Sequence, residues 1–526
     1  MKKILYLLMA ASAVGFASCS DDLDTKQTDM LPQDRYDEMV QEDADKMLSS
    51  KIAGIQSDIQ YWYYTQSSHN YFGQKGLDYR TALMGNDVVM TNKFAMSWWD
   101  HVIDYRGYDL VATSNVWRGY YRIITSANEI LNSIPEDATS PSVLKYKAMA
   151  LGMRGYAYLY LTYFYQYAYK VGVADNQWGV GGKGDYSQEL GVPDVTEQSV
   201  GNQPRATLAK NYERITGDLE ESCRIFEQIG MTKTADPTDF DGCVSATYLY
   251  RAYLAMQDWT NAAKYAKVVM DNFDVLKTKA DILQGFSSLS LGDIVYGCDI
   301  TSDNTSIYAS WFSQMDMFGD GYAGIGVSRV GFKPLVDRIS DSDVRLDWFW
   351  SPRNFSKLIA EFGGQPASLT HYYQSAKFVG AGRSNVVDGY GEGWELGDYI
   401  YLRSEEAYLS YAEALIQQGG TSLTEGRDVL NAFMQTRDPN YDCTLTDKAA
   451  LIEELIFQKR VEFWGEGLEY IDNRRLNIPV DRTVDGSNHY VSAKMKVEQT
   501  DLLFLYQLPA AEIDNNPEIG QDNQNP

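Results

Sequence analysis

Residues 144–169 read Leu-Lys-Tyr-Lys-Ala-Met-Ala-Leu-Gly-Met-Arg-Gly-Tyr-Ala-Tyr-Leu-Tyr-Leu-Thr-Tyr-Phe-Tyr-Gln-Tyr-Ala-Tyr. Within this stretch Tyr156, Leu159, Tyr160, Tyr163, Phe164 and Tyr167 fall at i, i+3, i+4, i+7, i+8 and i+11, a single helix face. Tyr158, Leu161 and Tyr165 make the other side apolar as well. A helix that is apolar all round has to be buried among others. The stretch therefore predicts a central helix in a packing of helices.

The same period appears at 115–134, 206–229, 244–257, 260–272, 402–418, 423–436 and 448–464. Several of these come in pairs. Ala246–Gln257 and Trp259–Asp271 flank a turn at Asp258, with Ala262, Ala263 and Ala266 at the seam. Tyr399–Gln418 and Leu423–Thr436 flank Gly419-Gly420. Such pairs resemble tetratricopeptide units, which stack to bury their faces, although no clean repeat of about 34 residues is kept. Long non-helical tracts (171–205, 281–400, 477–526) separate them, with glycine clusters at Gly179–Gly184 and Gly319–Gly326. Strand-like runs occur at Asp293–Tyr296 and Leu502–Leu508. The expected fold is mainly α, with degenerate tetratricopeptide-like helix pairs forming a spine and a large loop-rich face carrying few short strands.

The chain has 526 residues, 44% of them hydrophobic, and a formal net charge of −26. A surface this acidic repels phosphates, so nucleic acid is excluded as a general partner. Met1–Ser18 reads as a secretory signal: Lys2 and Lys3 start it, Ile4–Phe16 is apolar, and Ala17-Ser18-Cys19 is the exit. The apolar run is too short to span a hydrocarbon core of about 30 Å. The small-small-Cys exit resembles a bacterial lipobox, which makes Cys19 the lipid attachment site. The acidic stretch behind it suits a flexible tether, giving a signal at 1–18, a lipidated tether at 19–30 and one α-rich domain at 31–526.

Motifs for catalysis are missing. The four histidines (His69, His101, His371, His489) have no HxxxH or HxH spacing, and no GxSxG or GxxxxGK[ST] occurs. Asp236, Asp239 and Asp241 before Gly242 match a calcium loop only loosely, lacking its spacing and its terminal Glu. Cys223, Cys243, Cys298 and Cys443 fit either disulfides or buried thiols. No metal and no cofactor is expected. The chemical signal is aromatic: Trp, Tyr and Phe make 13% of the chain. Tyr61-Trp62-Tyr63-Tyr64, Trp98-Trp99, Trp311-Phe312 and Trp348-Phe349-Trp350 all sit in or beside loop-rich sequence. A pyranose ring stacks its C–H face on such rings and offers its hydroxyl rim to polar side chains. Trp98, Trp99 and Trp311 are the expected platforms, with Arg80, Asn86 and Asp87 as polar groups.

Four segments together resemble the RagB/SusD family of surface glycan-binding lipoproteins of Bacteroidetes. They are Arg154–Leu161 (RGYAYLYL), Tyr401–Ala414 (YLRSEEAYLSYAEA), Arg460–Arg475 (RVEFWGEGLEYIDNRR) and Leu508–Pro517 (LPAAEIDNNP) with a closing Gln524-Asn525-Pro526. Gln458, Glu469 and Asn473 depart from the family's usual Glu, Arg and Leu. The resemblance implies a tetratricopeptide-supported fold, no catalysis and a glycan ligand. It also implies docking on a SusC-like TonB-dependent transporter, with attachment to the outer membrane by the lipid, facing the exterior. Two other functions stay open from sequence: a tetratricopeptide-like protein-interaction scaffold and a surface glycoside hydrolase, whose carboxylate pair is set in space and not by sequence spacing.

Overall fold

Where the helical period is clear, helices form. The computed structural model describes residues 33–62, 69–93, 95, 97–104, 106–172, 184–380 and 393–526. The signal, Cys19, the tether 19–30, Tyr63, Tyr64 and most of Gly179–Gly184 lie outside the described residues. The long helices are α1 (Gln33–Glu42), α2 (Ala44–Tyr61), α3 (Gly73–Met84), α4 (Val111–Asn132), α5 (Pro141–Tyr165) and α6 (Leu208–Gln228). They continue as α7 (Gly242–Met256), α8 (Trp259–Met270), α9 (Ser404–Gln418), α10 (Thr421–Met434), α11 (Lys448–Glu462) and α12 (Leu468–Leu476). From α4 to α10 each helix packs on the next in sequence, as in a stack of tetratricopeptide units, with α8 against α9 joining the two parts of the chain.

α5 is the centre of this spine. It starts at Pro141, whose missing N–H is one that a first turn leaves unpaired anyway. Every residue from Ala148 to Tyr165 is buried. A Cβ on Gly152 would stand 2.4 Å from the Phe240 ring, and one on Gly155 2.7 Å from Leu219 Cγ. Both glycines are therefore spaces that neighbours fill. Arg154 clamps Asp218 of α6 with two hydrogen bonds of 2.7 and 2.8 Å and donates to Asn128 of α4. One arginine so ties three helices, through the paired geometry guanidinium and carboxylate share.

The other pairs are punctuated by local chemistry. Asp258 accepts the N–H of Asn261 at 3.1 Å, capping α8, while Gln257 turns the chain with φ 59°. Gly419 and Gly420 both take positive φ between α9 and α10, which costs a residue without Cβ little.

Among the described residues the loop-rich face carries four two-stranded antiparallel pairs. They are β1 (Val88–Met90) with β5 (Arg329–Gly331), β2 (Leu190–Pro193) with β3 (Arg205–Thr207), β4 (Ile294–Cys298) with β6 (Tyr399–Arg403), and β7 (Val480–Asp481) with β8 (Lys496–Val497). Two expectations are corrected here. Tyr399–Arg403 is strand and not the start of a helix, because its Tyr-Ile-Tyr-Leu run pairs with Ile294–Cys298 before α9 begins. Leu502–Leu508 is not a strand: Leu502–Phe504 forms a 3₁₀ turn, and the N–H groups of Tyr506 and Gln507 donate to Phe164 and Arg106 carbonyls.

Spine and loops meet at a buried charge cluster made by the second and third family segments. Glu462 faces Arg345 and Arg403 at 3.3 Å and Arg437 at 3.1 Å. Burial alone would raise its pKa, but the three guanidiniums outweigh that and hold the carboxyl well below its ordinary range. Glu466 receives Lys377 at 2.6 Å and Arg403 at 2.9 Å. The unusual residues compensate one another: Glu469 accepts from Asn473 at 3.2 Å and from the backbone N–H of Asn86 at 2.7 Å. Gln458 bonds Arg345 and Glu454. Asn525, in the closing segment, donates to the Tyr165 carbonyl at 2.9 Å and the Tyr506 carbonyl at 2.7 Å.

Candidate functional site

The segment 69–104 carries most of the residues expected to bind ligand, and its packing separates them. Arg80, on fully buried α3, pairs with Asp100 at 2.7 Å and lies 4.9 Å from the centre of the Tyr71 ring. Asp87 is buried against Arg460, and its carbonyl accepts the Trp464 indole N–H at 2.7 Å. Asn86 is held by Glu469 and donates to the Pro479 carbonyl at 3.3 Å. All three residues are buried and form no ligand-facing polar rim: Arg80 is paired within the segment to Asp100, while Asn86 and Asp87 tie it to Glu469 and Arg460. Trp311 is corrected as well. It is 1% exposed, edge-on to Phe378 at 5.0 Å, with Lys75 Nζ 4.1 Å from its ring centre. Trp348, Phe349 and Trp350 are equally buried, and Trp62 packs on Tyr120. A ring enclosed on all sides has no face left for a sugar.

Trp98 and Trp99 behave differently. They open a short helix, Trp98–His101, in which Trp98 is half-buried against Tyr490 and His101 while Trp99 is 51% exposed. On the other flank of this helix the structure adds residues not anticipated from sequence. His69 lies nearly parallel to Tyr308, ring centres 6.2 Å apart, and its Nδ1 is 2.7 Å from the Tyr322 hydroxyl. Tyr308 is 47% exposed. Asn70, next to His69, donates to Asp100 at 3.4 Å, and Asp100 follows Trp99. One buried carboxylate thus anchors both aromatic segments. The available signal was Ile307-Tyr308, an apolar pair directly after the polar run Thr301–Ser306.

Chemically, this face offers exposed rings, phenol hydroxyls and an imidazole. Asp236 and Asp241 are occupied otherwise: Asp236 closes a turn on Thr238, and Asp241 caps α7 through the Val244 N–H at 3.0 Å. Among the described residues no group of His, Cys, Asp or Glu is arranged to hold a metal ion. The four cysteines Cys223, Cys243, Cys298 and Cys443 are free thiols.

Two family profiles match the chain, one described as starch-binding associating with outer membrane over residues 36–254, the other as SusD family over 363–526. The chain belongs to the SusD/RagB family. Solved SusD-like structures share its fold. A SusD-like carbohydrate binding protein from Bacteroides vulgatus superposes with a TM-score of 0.72 at 19% identity, covering 91% of this chain and 98% of that one. A SusD superfamily protein from Bacteroides thetaiotaomicron gives 0.68 at 19%, covering 91% and 99%. Surface glycan-binding protein A of the same species, solved with laminarihexaose, gives 0.64 at 15%, also covering 91% and 99%. Among curated protein sequences none matches. The SusD/RagB segments coincide with the buried clamps of Arg154, Arg403, Glu462 and Asn525, so they specify the fold and leave the ligand face free to vary.

Proposed function

We propose that this chain is a non-catalytic, cell-surface glycan-binding lipoprotein that captures oligosaccharide or polysaccharide and passes it to a SusC-like TonB-dependent transporter. The observation that carries the reading is a pair of exposed rings, Trp99 and Tyr308, the second stacked with His69, on two segments tied together by the Asn70–Asp100 hydrogen bond. Flat rings held by a packed scaffold bind pyranose C–H faces without an ordering cost, and nearby hydroxyls meet the sugar rim. Family membership and the laminarihexaose complex of a structural neighbour support the ligand class. The buried carboxylates Asp218, Glu413 and Glu462 are each taken up in ion pairs with arginines, a structural use of these acids.

In this reading Cys19 carries the lipid and the chain faces the exterior of the outer membrane. No helix among the described residues is long and apolar enough to cross a membrane, so the acylated Cys19 would be the attachment. Native gels cast with soluble starch or with laminarin test the ligand. Wild type is expected to be retarded in at least one, and Trp99→Ala with Tyr308→Ala to be retarded clearly less while keeping its thermal transition. Equal retardation of this variant would move the site elsewhere. Co-purification of a TonB-dependent transporter from detergent-solubilised membranes tests the partner, whose permanent interface should bury more than about 2,000 Å².

A further inference from the structure

Beside the Trp98–His101 helix, where Trp98 meets Tyr490, lies an open groove of about 630 Å³. Its floor is Val89, Met90 and Val330 of the β1–β5 pair, and its walls include Tyr372, Tyr490 and Val491. Tyr372 is 56% and Tyr490 39% exposed. Each is propped nearly at right angles by a second ring, Tyr372 by Phe355 at 5.6 Å and 72°, Tyr490 by Trp98 at 5.9 Å and 79°. An edge-to-face contact covers at most one face of a ring. The Tyr490 hydroxyl is further tied to the Thr91 carbonyl, which fixes its orientation.

The lining decides which ligand fits. In a chain with 72 acidic and 46 basic residues, no Asp, Glu, Lys or Arg among the described residues lines this groove. Its polar groups are Thr91, Thr370, Asn488 and the tyrosine hydroxyls, with His371, whose pKa burial lowers, so that it is neutral at pH 7. Thr370 Oγ1 sits 2.8 Å from His371 Nδ1, which leaves Nε2 to meet a hydroxyl. Exposed rings with uncharged hydrogen-bonding groups suit a neutral pyranose. They give no countercharge to a uronate, a sulfated sugar or a charged peptide.

We propose that this groove is a second binding surface for a neutral glycan, distinct from the Trp99–Tyr308 face and continuous with it through Trp98 and Trp99. The inference rests on the glycan-binding reading. A single polysaccharide crossing the Trp98–His101 helix would engage both faces, so the second contact raises avidity without any change in the first. Short oligosaccharides would occupy the two faces separately.

The experiment uses the full soluble chain, with starch and laminarin as neutral polymers, maltohexaose and laminarihexaose as short probes, and polygalacturonate as the charged control. Titration calorimetry of wild type is expected to give two oligosaccharides per chain, and one for Tyr372→Ala. Removal of a stacking ring is expected to weaken polymer binding at least ~5-fold, as truncation of aromatic anchors does elsewhere. Tyr490→Ala, which removes the second ring, is expected to weaken polymer binding as Tyr372→Ala does. One oligosaccharide per wild-type chain, or unchanged polymer affinity in a folded Tyr372→Ala, overturns the second surface and leaves the first standing. Preference for polygalacturonate overturns the neutral-ligand assignment. A wild-type chain that binds none of the neutral probes overturns the glycan-binding reading itself.

Discussion

The spine and the loop-rich face solve the same problem by different means. In the spine, α4 to α8 bury their sides against sequence neighbours, and small residues such as Gly152, Gly155, Ala262 and Ala266 set how closely they approach. The most extensive contacts there join one helix to the next. In the loop-rich face, order comes from polar clamps between distant segments: Asp87 with Arg460, Arg482 with the carbonyls of Leu83 and Gly85, Lys377 with Glu466. The spine is specified by periodicity, the face by single residues. A face built in this way can change its exposed rings while its clamps stay in place, which suits a binding surface on a common scaffold.

The sharpest way to break the contrast is Glu462→Ala, which leaves Arg345, Arg403 and Arg437 buried together without their shared carboxylate. Breaking a buried pair costs about 3–5 kcal/mol, so both regions are expected to lose stability together, measured by urea unfolding. The spine alone is challenged by Gly152→Val. Its new carbons meet the Phe240 ring, and overpacking of this kind costs about 1–3 kcal/mol.

An acid titration probes the face. His101 and His489 are buried side by side: His101 Nδ1 lies 3.2 Å from the Leu83 carbonyl, the two rings are 3.3 Å apart at Nε2 and Nδ1, and His489 Nε2 is 2.9 Å from the Asn86 carbonyl. Burial, reinforced by Arg482, lowers His489 to about 3 and His101 well below its ordinary 6.5. A histidine whose folded pKa lies under its unfolded one contributes stability that is fully present above pH 6.5 and lost as the pH falls toward 3. The melting temperature is expected to drop on acidification from pH 6.5 to pH 4.5, and to drop less in His489→Gln. An equal slope in the two proteins would refute it.

Smallest is the effect of Trp99→Ala on stability, expected within about ±0.5 kcal/mol because the ring is half exposed. Its effect on glycan retardation should be the opposite, which separates a residue kept for binding from one kept for folding.

This contrast also decides what the sequence revealed. The helix pairs were legible, since a stripe at 3.6-residue spacing survives whatever the helix packs against. α3 was not, because Gln74, Lys75, Asp78 and Arg80 are all buried and no apolar stripe marks it. The same blindness affected the site. Arg80, Asn86, Asp87 and Trp311 have the residue types of a sugar site, yet burial assigns them to the base beneath it. Residue type states what a side chain can do, and only packing states which way it faces. Trp99 reached the surface. Tyr308, His69 and Tyr372 had no motif to announce them.

The clamp between Arg482 and Gly85 spans 397 positions of the chain. At about 5–20 residues per second, a ribosome needs roughly 20–80 s to make the second partner after the first. Throughout that interval the carbonyls of Leu83 and Gly85 and the carboxylate of Asp87 are without the arginines that satisfy them. The stretch Leu83–Asp87 therefore docks only after residues 460–482 have been synthesised, so this corner of the face is among the last parts of the molecule to close.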